Sequence, residues 1–216
     1  MRPIVVTVGP LAAPNASNIA GSQTPGAAGN LTLTAGAIAG TTPDTPRRVL
    51  FTPAGAEATN STIWTVYGTD WNGTPVSEAV AGVNSPSTVY TVYDYKTVTR
   101  IAVNKAQAGA VTVGTNGIAS SRPVYLDNWA MPQTYVQVAV SGTINYTVQQ
   151  TLDSVVGPNA LLYSALTWFP HPDSLLVGQT ASAQGTYANV PQMVQLLVNS
   201  NTNPGAATMT IIQSDA

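Results

Sequence analysis

Apolar and polar residues alternate along much of the chain with a period of two, the spacing that turns every second side chain of a β-strand toward a core. The pattern is clearest in Tyr135-Val136-Gln137-Val138-Ala139-Val140 and Ile144-Asn145-Tyr146-Thr147-Val148-Gln149. Ser141-Gly142 lies between these runs and predicts a hairpin, because glycine accepts the backbone angles of a tight turn. A second hairpin is predicted where Ile63, Trp64, Val66 and Tyr67 form one β-rich run and Val76, Ala79 and Val80 begin another. Thr69-Asp70-Trp71-Asn72-Gly73 separates them, with Asn-Gly as the pair that most readily turns. Further strands are predicted over 31–34, 48–51, 89–93, 98–103, 110–114, 124–126, 193–199 and 208–213. No run keeps helical spacing over three turns, and Pro158, Pro170 and Pro172 leave 155–185 without a readable pattern.

These strands fall into groups. Residues 1–30 hold Pro, Ala, Gly, Ser and Asn with hardly a large apolar residue after Leu11, too little to form a core of their own. They are expected to form an extended N-terminal arm, mobile in isolation and ordered in an assembly. Within the arm only Ile4-Val5-Val6-Thr7-Val8 is suited to pair as a strand, with its own domain or with a neighbouring subunit. The expected fold is all-β: two antiparallel β-sandwich domains of the jelly-roll or Ig-like kind, 31–118 and 119–216, preceded by the arm.

Charge changes the picture most. Seven Lys and Arg and nine Asp and Glu make only 7% of the 216 residues charged, against roughly 25% in an ordinary soluble domain. A surface of Thr, Ser, Asn, Gln, Gly and Ala has little self-repulsion, which suits packing against copies or other subunits. The net charge of −2 leaves no basic face, so nucleic acid is not an expected partner. The pair Arg47-Arg48 reads as a solvated strand entrance. Without cysteine, stability rests on packing and not on disulfides. Prolines 3, 10 and 14 interrupt the amino terminus, so no signal peptide is expected, and no apolar run approaches the roughly 20 residues that cross a bilayer.

Candidate chemistry is sparse. The single histidine, His171, lies between Pro170 and Pro172 with Asp173 close by, and no Gly-x-Ser-x-Gly elbow accompanies it. It is expected to be structural or exposed. One His, no Cys and scattered carboxylates predict no catalytic residues, no metal site and no cofactor. Trp71 is the strongest functional candidate. A large ring between Asp70 and Asn72 at a hairpin tip suits a protein-contact anchor, with local packing or a sugar platform as the other readings. Trp64, Tyr90, Tyr93 and Tyr146 lie in strands and read as core or sheet-face residues, while Trp129 and Trp168 lie in irregular segments. The expected interface residues are therefore Trp71, Asp70 and Asn72, together with Ile4, Val5, Val6 and Val8 of the arm.

Two stretches carry a family resemblance. Trp64-Thr65-Val66-Tyr67-Gly68-Thr69-Asp70-Trp71-Asn72-Gly73-Thr74-Pro75-Val76-Ser77-Glu78, with Tyr95-Lys96-Thr97-Val98-Thr99-Arg100-Ile101 after it, resembles a pattern recurrent in virion structural proteins of tailed bacteriophages. Val138 to Gln149 and the closing Thr208-Met209-Thr210-Ile211-Ile212-Gln213 resemble the same proteins. The resemblance implies a non-enzymatic virion component in multiple copies, decorating or cementing the capsid or head-tail region. Its implied partners are the major capsid protein, tail or connector proteins and copies of itself, with no membrane. The alternatives are a tail accessory or fibre-attachment protein, or a carbohydrate-binding adhesion module using Trp71 or Trp168.

Overall fold

The computed structural model describes residues 3–34, 45–127, 133–154, 161, 163–202 and 204–214. The chain is all-β, with several antiparallel sheets and no barrel. In chain order the first strands are β1 (Ile4–Leu11), β2 (Asn15–Gln23), β3 (Gly29–Asn30), β4 (Val49–Pro53), β5 (Ile63–Thr69) and β6 (Pro75–Ala81). Then come β7 (Val89–Tyr90), β8 (Thr97–Val103), β9 (Val111–Thr115), β10 (Ala119–Ser120), β11 (Val124–Tyr125) and β12 (Gln133–Ser141). The last are β13 (Ile144–Thr151), β14 (Phe169–Pro170), β15 (Ala183–Tyr187), β16 (Met193–Asn201) and β17 (Gly205–Ser214).

Two compact units divide the chain, but not at the expected boundaries. One unit combines Met1–Ala12 with Gly117–Ala216, and the other is Ala13–Asn116. The expected 1–30 arm is therefore split: β1 pairs with β17 of one unit, whereas β2 and β3 pair with β9 and β8 of the other. Composition misled because the apolar residues of the segment are buried against strands far along the chain and need no core of their own. Val6, Val8 and Leu11 are each at most 5% exposed, and Ile19 and Ala20 of β2 are also buried.

The unit Ala13–Asn116 contains the sheets β2-β9-β4-β7 and β3-β8-β5-β6. Both contribute to one core, in which the rings of Phe51 and Trp64 stack 4.8 Å apart at 9°. Residues 31–34 alternate as expected but form no ladder strand. Instead, the Gln23 amide mimics a strand, accepting from Thr32 N at 2.8 Å and donating to Thr32 O at 2.9 Å. Arg47 is not a solvated residue. It is buried, and its backbone exchanges hydrogen bonds with Tyr95. Arg48 lies over the Tyr90 ring instead.

The other unit contains β1-β17-β12-β15 and β10-β16-β13-β14, with β11 also on β16. The hairpin expected around Ser141-Gly142 does not form: β12 pairs with β15 and β17, and β13 with β14 and β16. The chain crosses there from one sheet to the other. Both runs keep their period of two because each turns an apolar face, Val136 and Val138 on one side, Ile144, Tyr146 and Val148 on the other, into a shared core. Gly142 makes the crossing feasible. Its φ of +73° favours glycine, and a Cβ there would collide with Pro204 O and lie 2.9 Å from Gly205 Cα.

Candidate functional site

The predicted contact residues fall into two separate places. Asp70, Trp71 and Asn72 occupy the loop between β5 and β6, whose ladder closes at Thr69 and Pro75. Asp70 organises this loop as an Asx turn: its Oδ1 accepts from Asn72 N at 2.8 Å and from Thr74 N at 2.9 Å. Gly73, at φ +83°, completes the reversal. Trp71, expected to reach a neighbour from the hairpin tip, is only partly accessible in this chain. Trp71 is half-buried, whereas Asn72 is exposed.

Ile4, Val5, Val6 and Val8 lie in β1, in the other unit. The strand divides by face. Val6 and Val8 are buried in the core and are therefore not available to a neighbour, while Val5 is 50% exposed and Ile4 half-buried. β1 is the terminal strand of its sheet, so one backbone edge over residues 4–8 has no strand partner among the described residues.

His171 is structural in its surroundings. It is 3% exposed, its Nδ1 accepts from Asp173 N at 3.0 Å, and its ring lies 4.3 Å from that of Tyr187. Burial pushes its pKa below the ordinary 6.5, against an opposing pull from Asp173. Burial likewise raises the phenols of Tyr95 and Tyr187 far above their usual range. Among the described residues, no group of three His, Cys, Asp or Glu side chains converges in a way that could hold a metal ion. Of the remaining aromatics, Trp64 and Tyr146 are core, Tyr90 is 43% exposed, and Trp168 packs at 6.0 Å against Tyr163. Trp129 and Pro158 lie outside the described residues.

A groove of about 570 Å³ crosses the outer face of the sheet β1-β17-β12-β15. Tyr135, Gln137, Gln184, Thr186, Thr210 and Asp173 line it, with Ile212 beside them. Strand register builds it in two rows, Gln184-Gln137-Thr210 and Thr186-Tyr135-Ile212. Sequence reading missed these residues as a set. Period two marks each as facing away from the core, but only the pairing of β12 with β15 and β17 brings them side by side.

No protein-family model matches the chain, and no curated protein has a similar sequence.

Proposed function

We propose that the chain is a non-enzymatic structural protein of a tailed-bacteriophage virion, present in multiple copies on the capsid or at the head-tail region. Its partners in this reading are the major capsid protein, tail or connector proteins and other copies of itself. Neither nucleic acid nor membrane is among them. Each unit is then a two-sheet sandwich of jelly-roll or Ig-like kind, as the shared core between paired sheets favours.

The observation that supports assembly best is the edge of β1. Soluble proteins blunt such edges with charges, prolines or bulges. Here residues 4–8 read Ile-Val-Val-Thr-Val, without a charge, a proline or a bulge; Pro3 precedes the run, and the bulge and Pro10 follow Val8. The other three strands of that sheet also lack charged residues. An edge of this kind is suited to accept a strand or a flat surface from another subunit.

The test is to locate the chain in purified particles by mass spectrometry and a cryo-microscopy reconstruction. Several copies per particle are expected, and Val5→Lys should lower their number while leaving the melting temperature of the free protein unchanged. Particles that lack the chain would refute the proposal.

A further inference from the structure

We infer that the groove on the outer face of β12, β15 and β17 is a binding site for a neutral oligosaccharide. Its size falls within the roughly 300–1,000 Å³ of small-ligand sites. Its chemistry is that of sugar recognition. Adjacent strands lie about 4.8 Å apart, so the row Gln184-Gln137-Thr210 offers amide and hydroxyl groups over about 10 Å, a span of about two sugar rings. Amide side chains both donate and accept, as the hydroxyls of a pyranose require. Neither glutamine, nor Thr186 nor Thr210, spends its side chain on a hydrogen bond inside the described chain.

Tyr135 supplies the platform. The ring is 46% exposed, and its hydroxyl donates to Gln133 Oε1 at 2.8 Å, which fixes the ring in place on the sheet. An aromatic face held in this way stacks against the C–H face of a sugar. Asp173 adds the one carboxylate. Its Oδ1 accepts from Leu175 N at 2.9 Å as the cap of the short 3-10 helix Ser174–Leu176, which leaves Oδ2 for a ligand hydroxyl. Gly185 makes room for this turn, since a Cβ there would lie 2.9 Å from Leu176 Cδ1 and 3.5 Å from Asp173 Oδ2.

Charge selects the class of sugar. No Lys, Arg or His lines the groove and one carboxylate does, so sialylated, sulfated or phosphorylated glycans meet repulsion without a cationic partner. A protein segment would instead favour apolar anchors, and among the described residues that line the groove Ile212 is the one large aliphatic side chain turned outward, with Val5 of β1 beside Thr210 outside the lining.

The test uses the full chain in solution against immobilised neutral trisaccharides of glucose, galactose, mannose and N-acetylglucosamine, with sialylated and sulfated glycans for comparison. Saturable binding to at least one neutral probe is expected at millimolar affinity or tighter, with no preference for the anionic set. Tyr135→Ala and Gln137→Ala should each weaken it tenfold or more, and Asp173→Asn, which keeps the cap, should weaken it several-fold. Tyr125→Ala removes an exposed ring outside the groove and should leave binding unchanged, and all four variants should melt with the wild type. No saturable binding to any neutral probe, equal binding by Tyr135→Ala, or a loss of self-association in place of glycan binding would each overturn the assignment. Sugar binding by the free chain and presence on a particle are separate readouts, so either can fail alone.

Discussion

The imidazole of His171 is neutral because it is buried, and a proton added to it would cost both desolvation and the hydrogen bond that its Nδ1 accepts from Asp173 N. The folded pKa lies below the unfolded 6.5, so the unfolded chain takes up the proton first as pH falls. The contribution of His171 is thus fully present above about pH 6.5 and is lost as pH falls through the folded value. The melting temperature should drop over that window in the wild type and drop less in His171→Gln, whose amide still accepts from Asp173 N but does not titrate. An identical slope in both proteins would show that other groups govern the acid response. The tryptophans offer a second contrast at this scale. Trp64 is fully buried and stacked on Phe51, so Trp64→Ala should cost about 3–5 kcal/mol in chemical denaturation. Trp71 is half-buried on its loop, and Trp71→Ala should cost about 2 kcal/mol, less than a core ring yet more than an exposed tip would.

Strand β1 shows how an element of unpromising composition can hold a unit together. It buries Val6, Val8 and Leu11, each worth about 1.5–3 kcal/mol, against a typical domain stability of about 5–15 kcal/mol. Deleting residues 1–12 should therefore abolish the cooperative melting of its unit, and limited proteolysis of the intact protein should spare β1. Rapid trimming of β1 without loss of the calorimetric transition would contradict the pairing with β17. The sheet crossing after β12 depends on Gly142 in the same way. Gly142→Ala combines a positive φ with collision against Pro204 O, and a loss of about 1–3 kcal/mol is expected.

For the whole molecule, the order of the chain makes the two units unequal. Ala13–Asn116 is continuous and pairs all its strands internally, whereas the other unit needs β1 from the start of the chain. A fragment of residues 13–116 should give a dispersed NMR spectrum and a sharp melt, while 117–216 should do so only when a peptide of residues 1–12 is added. A fragment 117–216 that folds unaided would show that β17 does not need its partner. Much of this architecture was legible in the chain. The alternation in β12 and β13 and the β-branched or aromatic runs of β5, β6, β8, β16 and β17 marked strands, because both signals are local properties of each run. β15 and β14 escaped notice, since Ala183-Gln184-Gly185-Thr186-Tyr187 and Phe169-Pro170 are too short or too small in their side chains to stand out from the prolines and glycines around them. By itself the sequence determined that the protein is all-β, uncharged on most of its surface and poor in titratable chemistry. Which strands became neighbours was decided only by tertiary structure. The same alternating pattern serves a hairpin or a crossing between sheets, and it was the shared burial of Val136, Val138, Tyr146 and Val148 in one core that chose the crossing. That choice also placed Gln184 and Thr210 on either side of Gln137, and so made the groove.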